Sequence, residues 1–174
     1  MLPPAITRAL RLPLLEPEMF CPTKWETADA KAWFGNNLLR FSAENFPEPT
    51  FTERFYRRLS MTFGHIAHYN RAGFWAHFFA SQTGRVAFLE QTLGHPCYGD
   101  PDFTYNDVER AVILRLRAAG VLGWHRRALT KAIEASERAE FGRLTAKFGT
   151  IEPDRNPLIP EIGSAPTIQA DLFA

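Results

Sequence analysis

Hydrophobic residues recur with the period of an amphipathic α-helix in several stretches of this chain, and proline and glycine separate the stretches. The clearest case is TERFYRRLSMTFGHIAHYN, residues 52–70. At about 100° per residue its apolar side chains share a narrow arc: Phe55, Leu59, Phe63, Ile66 and Tyr69. This pattern predicts an amphipathic helix that begins at Thr52.

Two further stretches have the boundaries of helices. Residues 27–46 begin with Thr27, a good N-cap, and end before Pro47, which stops a helix. Their apolar side is formed by Trp33, Phe34, Leu38 and Phe41. In the second stretch Asn106 and Glu109 have capping-box spacing, and Gly120 stands where a C-terminal glycine belongs. Both stretches predict core helices.

The remaining periodic segments are less regular. Residues 73–94 are apolar nearly all round in their first half and predict one helix, or two helices broken near Gly84. Residues 123–149 are rich in Ala, Glu, Lys and Arg, and we expect this long helix to close the bundle. Its apolar set is Trp124, Leu129, Ile133, Phe141, Leu144 and Phe148.

No alternating strand pattern and no fixed-period repeat occurs, so the predicted fold class is all-α. We expect a compact bundle of about five or six helices with an extended proline-rich C-terminal tail. The predicted organisation is an α-helical domain at 1–148, a proline-rich linker at 149–168 and a terminal peptide at 169–174. The fifteen Phe and four Trp are concentrated between Trp25 and Phe88, which predicts a tightly packed aromatic interior.

The net charge of +1 argues against a dedicated polyanion binder and against a nucleic-acid mimic. It conceals an asymmetry: residues 150–174 carry four carboxylates and one arginine, a net of −3, which leaves +4 on residues 1–149. Two cysteines, Cys21 and Cys97, cannot form a disulfide framework and lack zinc-knuckle spacing. Arg8 and Arg11 interrupt the apolar N-terminus, so we expect no signal peptide. No segment reaches the roughly 20 apolar residues of a membrane span, so we expect a cytoplasmic protein without membrane contact.

Three histidines invite a metal hypothesis. His65 and His68 are three residues apart on a predicted helix, and His77 lies beyond a turn. A zinc site would need a further ligand, and neither HExxH nor CxxC occurs. We therefore favour a structural or solvated role for these imidazoles and expect no cofactor, no metal and no catalytic residue. A metal-dependent hydrolase or nuclease that uses the three histidines is the alternative.

A set of arginines could contact DNA phosphates: Arg54, Arg57, Arg58, Arg71, Arg126 and Arg127. The competing interpretation is an ordinary solvated face, and we favour it, because Glu134, Glu137 and Glu140 weaken the positive field around the second group. No motif for base-specific recognition is present.

The chain ends in TIQADLFA, residues 167–174. Within it, Gln169, Asp171, Leu172 and Phe173 resemble the peptide by which bacterial polymerases and mismatch-repair proteins dock on the β sliding clamp. That motif is Gln, any residue, Ser or Asp, Leu, Phe, often at a terminus behind a flexible segment, and each fixed position is matched. The resemblance covers five of the 174 residues, and the helical body resembles no family.

The resemblance implies that Leu172 and Phe173 enter an apolar pocket of the clamp while Gln169 and Asp171 set the register. It predicts a non-enzymatic interaction protein from a bacterium, phage or plasmid that acts in or regulates DNA replication or repair. Two alternatives remain besides the hydrolase. Leu172 and Phe173 could pack back on their own helices, or the body could be an inhibitor or adaptor of another protein complex.

Overall fold

The computed structural model describes residues 1–24, 26–63, 70–94 and 106–149. These residues form seven α-helices, which confirms the predicted all-α class: α1 (Pro4–Arg11), α2 (Ala28–Ala43), α3 (Glu53–Phe63), α4 (Arg71–Phe78), α5 (Gln82–Gly94), α6 (Asn106–Ala118) and α7 (Val121–Phe148). Two short 3₁₀ turns, Pro17–Met19 and Glu48–Thr50, precede α2 and α3. No strand occurs within these ranges. None of the described helices has both the length and the hydropathy needed to cross a membrane.

Side-chain caps fix the helix starts that the sequence predicts. Thr27 Oγ1 accepts a hydrogen bond from Ala30 N at 3.2 Å, and Thr52 Oγ1 accepts one from Phe55 N at 3.2 Å. Each hydroxyl satisfies a backbone N–H that has no partner inside the helix. The predicted C-terminal glycine after α6 is also confirmed, because Gly120 has a φ of +67°.

The segment around Gly84 forms two helices, which decides between the alternatives that the sequence left open. The break lies at residues 79–81, and Gly84 belongs to the first turn of α5. Ser81 Oγ caps this turn by accepting a hydrogen bond from Gly84 N at 3.0 Å. A Cβ atom at Gly84 would collide with the carbonyl oxygens of His77 and Phe78, so glycine allows α5 to turn back closely on α4.

Aromatic rings fill the core, as the composition predicts. Ten phenylalanines of the described residues are buried, none more than 6% exposed: Phe20, Phe34, Phe41, Phe46, Phe51, Phe55, Phe74, Phe78, Phe79 and Phe88. The ring of Phe41 has its centroid 5.0 Å from that of Phe79 in an edge-to-face arrangement, and the rings of Phe46 and Phe79 stack at 5.0 Å. These are the preferred geometries of aromatic pairs, and they give the core a specific arrangement.

Phe46 is unusual in its backbone. It has a φ of +61° directly after Asn45 at +66°, in the left-handed region that a bulky residue rarely occupies. Its N–H donates to Phe41 O at 2.9 Å, which ends α2 by reversing the chain. The same residue places its ring in the core at 1% exposure.

The N-terminal segment forms a helix that the sequence analysis did not predict. Helix α1 buries Leu10, and Arg11 pairs with Glu44 at the end of α2. The following segment is held by Asn36, whose side chain accepts from Leu15 N at 2.9 Å and donates to Leu15 O at 2.8 Å. Residues 1–15 therefore contribute to the same core as α2.

Helix α7 corrects one prediction. Val121 and His125 are buried, but four members of its predicted apolar set are exposed: Ile133, Phe141, Leu144 and Phe148. Glu137 and Glu140 share the helix face of these side chains and interrupt it, so the apolar surface is not continuous. The expectation that this whole set packs into the bundle is therefore wrong. The chain divides into two units, Met1–Glu134 and Ala135–Ala174, and α7 contributes residues to both.

Candidate functional site

The most distinctive surface feature of the first unit is Trp33, which is 40% exposed, in contrast to the buried phenylalanines. Helix α2 turns Phe34, Leu38 and Phe41 into the core, and the neighbouring side of the helix carries Trp33, Asn37 and Arg40 at intervals of four and three residues. Grouping Trp33 with the apolar side of α2 was therefore wrong. The tryptophan belongs to the solvent face of the helix.

Hydrogen bonds fix the side chains on this face. Asn37 Nδ2 donates to the backbone oxygen of Trp33 at 2.7 Å, and Arg40 donates to Asn37 Oδ1 at 2.9 Å. From α3, the guanidinium of Arg54 lies over the indole of Trp33, with 4.5 Å from Cζ to the ring centroid. This cation–π contact holds the ring and the charge together.

Three clefts adjoin at Trp33, which lines each of them. The largest, about 470 Å³, lies against α1 and includes Leu10, Arg11, Leu14 and Arg40. The second, about 370 Å³, extends towards the start of α3 and includes Arg40, Thr50, Thr52 and Phe55. The third, about 190 Å³, is lined by Glu26, Ala30, Arg54, Arg57 and Arg58. We call Trp33 with the five arginines of these clefts the Trp33 surface: Arg11, Arg40, Arg54, Arg57 and Arg58.

Carboxylates neutralise only part of this surface. Arg11 pairs with Glu44 at 2.7 Å and Arg57 with Glu53 at 2.8 Å. Arg58 pairs with Glu26, both largely buried, and its guanidinium also lies 4.8 Å from the centroid of the Phe34 ring.

The other two arginines are differently placed. Arg40 bonds to an amide and Arg54 to an aromatic ring, and neither is in an ion pair within the parts of the chain that the structure describes. The Trp33 surface therefore presents two guanidinium groups that are not paired with a carboxylate of residues 1–24, 26–63, 70–94 or 106–149.

The structure brings together three of the six arginines that the sequence suggested as DNA contacts, because Arg54, Arg57 and Arg58 line one cleft. Arg71 instead donates to the carbonyl oxygen of Phe51 at 2.8 Å and ties α4 to the turn before α3. Arg126 pairs with Glu90 at 2.7 Å, and Arg127 is exposed on α7. Neither of these two lines the three clefts.

Arg40 was not among the arginines that the sequence suggested as DNA contacts, and Trp33 was assigned to the core. The spacing of Trp33, Asn37 and Arg40 along one helix face was the available signal. It was obscured because tryptophan was counted as a core residue on hydrophobicity alone.

Of the histidines considered for metal binding, His77 lies in α4 with its ring edge-on to Phe78 at 4.6 Å. His65 and His68 lie outside the described residues, as do Cys97 and the terminal peptide at 169–174. Across residues 1–24, 26–63, 70–94 and 106–149, no three His, Cys, Asp or Glu side chains are grouped so that they could hold a metal ion. Cys21 is an exposed free thiol.

Among the described residues, His125 is the group whose pKa departs far enough from its ordinary value to be given a number. It is fully buried, and Gln82 Nε2 donates to both its Nδ1 and its backbone oxygen, each at 2.9 Å. The ring proton therefore sits on Nε2, which has no hydrogen-bond partner within the described ranges. Burial, with a smaller effect from the positive charge of Arg85, lowers the pKa of His125 to about 4. This imidazole is neutral at physiological pH.

No protein family, curated protein or solved structure matches this chain.

Proposed function

We propose that this protein is a non-enzymatic adaptor that docks on the bacterial β sliding clamp through residues 169–173 and acts in or regulates DNA replication or repair. The observation that supports the proposal is the sequence of the terminal peptide. Gln169, Asp171, Leu172 and Phe173 occupy the four fixed positions of the clamp-binding motif.

The physical chemistry of these side chains suits a shallow pocket with polar edges. Burying Leu172 and Phe173 would contribute about 1.5–3 kcal/mol each, and the polar pair would fix the register by hydrogen bonds. Ordering the peptide costs part of this gain, so we expect a Kd of about micromolar for the peptide alone.

The number of residues between α7 and the peptide limits how far the peptide can reach from the body. Helix α7 ends at Phe148, where Gly149 has a φ of +76°. Twenty residues, 149–168, then precede Gln169. A coil of that length spans about 25 Å. A second contact, or the repeated sites of a ring, would raise the effective affinity without any new contact in the peptide.

Calorimetry with purified clamp tests the proposal. The intact chain should bind with a Kd of about micromolar or tighter, and deletion of residues 169–174 should abolish binding. The double substitution Leu172→Ala with Phe173→Ala should weaken it by about 100-fold or more, because it removes both apolar anchors. Ala170→Ser provides the matched control, since that position of the motif accepts any residue, and it should leave Kd within about twofold.

Two outcomes would refute clamp docking: no heat of binding from the intact chain, or equal binding by the chain that lacks 169–174. A labelled polymerase-derived clamp peptide then tests which pocket of the clamp the protein occupies. Displacement of that peptide by the intact protein would show that both occupy one pocket of the clamp.

A further inference from the structure

We infer that the Trp33 surface binds single-stranded nucleic acid, with Trp33 as a stacking platform for a base and Arg40 and Arg54 as phosphate contacts. The inference does not depend on the clamp proposal, because it uses only residues of the first unit. It assigns a ligand class to a site that lies far along the chain from the terminal peptide.

Trp33 is an exposed aromatic ring that is not part of the buried core. The ten buried phenylalanines of the described residues fill the interior, while Trp33 remains 40% exposed and is held in place by Arg54. An indole and a guanidinium are both flat π systems on which nucleic-acid bases stack. A preformed pair of this kind loses little conformational entropy when a base binds.

The second argument is the distribution of charge. Arg40 and Arg54 flank Trp33, and Asn37 holds the guanidinium of Arg40 in position. Arg57 is largely exposed and meets only a surface carboxylate, so its ion pair with Glu53 is weak and exchangeable. Phosphates on either side of a stacked base would find cations without breaking a buried ion pair.

The size and arrangement of the clefts beside Trp33 also suit a strand of nucleotides. The clefts of about 470 and 370 Å³ share Trp33, Asn37 and Arg40, and extend from them towards α1 and towards α3, respectively. Volumes of this size are typical of sites for small organic groups. Neighbouring nucleotides of a strand could therefore occupy them in succession.

The same features favour a single strand over duplex DNA and over an acidic peptide. A net charge of +4 on residues 1–149 is small for binding that depends on duplex phosphates alone, and a paired base offers no free face to Trp33. An amphipathic acidic peptide would need a row of apolar positions. Leu10, Phe41 and Phe55 also line these clefts but are buried, so Trp33 and Leu14 are the large apolar side chains exposed there.

Fluorescence anisotropy with a fluorescein-labelled dT12 oligonucleotide and the intact chain tests the inference. Trp33→Ala should raise Kd by about 10-fold or more, as expected for the loss of one stacked base. Trp33→Leu keeps an apolar side chain on the helix and should show a similar loss, whereas Trp33→Phe should retain most of the binding. Far-UV circular dichroism confirms that each variant is folded.

Charge variants provide the second readout. Arg40→Ala should weaken binding and reduce the slope of log K against log salt by about 0.7, the value for one phosphate contact with a single strand. Arg110→Ala is the matched control, since this exposed arginine of α6 lines none of the three clefts. Its Kd should stay within about twofold.

The inference is overturned if the intact chain does not bind dT12 at about 50 mM salt, where phosphate contacts are strong. It is also overturned if Trp33→Ala binds as the intact chain does, or if an acidic peptide binds in a Trp33-dependent way while dT12 does not. The chain that lacks 169–174 should bind dT12 normally, so this result can be distinguished from failure of clamp docking.

Discussion

At the scale of single residues, the protein depends on polar groups that are buried among aromatic rings. His125 is in contact with Phe46 and Trp124 and has a single side-chain partner, Gln82, within the described residues. A charged imidazole there would lose its hydration on burial and would be repelled by the positive charge of Arg85. Its neutrality is therefore a condition of the folded state.

This predicts a pH dependence of stability. The folded pKa of about 4 lies below the ordinary value of 6.5, so the unfolded chain takes up the proton first as the pH falls. The contribution is fully present above pH 6.5 and is lost between about pH 6.5 and pH 4, with a size of roughly 2–4 kcal/mol. Urea unfolding at pH 7 and at pH 4.5 measures it.

His125→Gln serves as the control, because an amide of similar size does not titrate. Carboxylates of other ion pairs lose stability in both proteins at low pH, so the difference between the two is the relevant quantity. If the free energy of unfolding has the same pH slope in both, the buried imidazole is not its source.

At the scale of helices, a glycine can allow two helices to approach closely, because it has no side chain. Gly84 allows the first turn of α5 to lie against the carbonyl groups of His77 and Phe78, while Gly142 lies in α7 with no atom within 4 Å of a Cβ position. A side chain at Gly84 would therefore collide with backbone atoms, whereas one at Gly142 would meet open space.

Alanine substitutions at the two glycines should therefore have opposite signs. Gly84→Ala should lower the free energy of unfolding by about 1–3 kcal/mol or more, since backbone atoms cannot move aside as side chains do. Gly142→Ala should raise the local helix stability by about 1 kcal/mol, because alanine is the better helix former. Chemical denaturation and helix content from circular dichroism measure both. Destabilisation at Gly142 would contradict the view of α7 as open on that face.

Elements with strong local signals could be predicted from sequence, and elements decided by tertiary contacts could not. Thr27 and Thr52 cap helices where the sequence places the caps, since this chemistry is local. Helix α1 has only eight residues and no side-chain cap, and Leu10 becomes a core residue only through contacts with distant parts of the chain.

The candidate site could likewise be predicted from the sequence only in part. Arg54, Arg57 and Arg58 were identifiable from their positions on one helix, but the exposure of Trp33 depends on which side of α2 the core occupies. Periodicity places Phe34 and Trp33 on neighbouring arcs and does not say which arc the phenylalanine cluster will fill.

At the scale of the whole first unit, a buried ion pair joins distant segments. Lys31 of α2 is 1% exposed, and its Nζ lies 2.9 Å from Asp107 of α6 and 2.7 Å from the carbonyl oxygen of Cys21. Three parts of the chain therefore share one ammonium group.

Removing that group should destabilise the unit. Lys31→Met fills a similar volume but removes the ammonium group from Asp107, which keeps the N–H groups of Cys21 and Val108, and removes a side-chain donor from the Cys21 carbonyl. We expect a loss of about 2–4 kcal/mol in the free energy of unfolding. Arg126→Ala breaks an exposed pair with Glu90 and should cost less than about 1 kcal/mol. If both variants lost the same free energy of unfolding in guanidinium, the burial of Lys31 would not make its ion pair more stabilising than an exposed one.

Phe46 has a left-handed backbone, and it belongs both to the short connection after α2 and to the aromatic core. One residue reverses the chain after α2 and also stacks its ring on Phe79, and the indole of Trp75 donates to its carbonyl oxygen at 3.2 Å. Adding a residue anywhere between 43 and 47 would rotate that ring away from its stack. This short connection cannot lengthen without a new core, so variation in length among descendants of this chain would have to fall elsewhere.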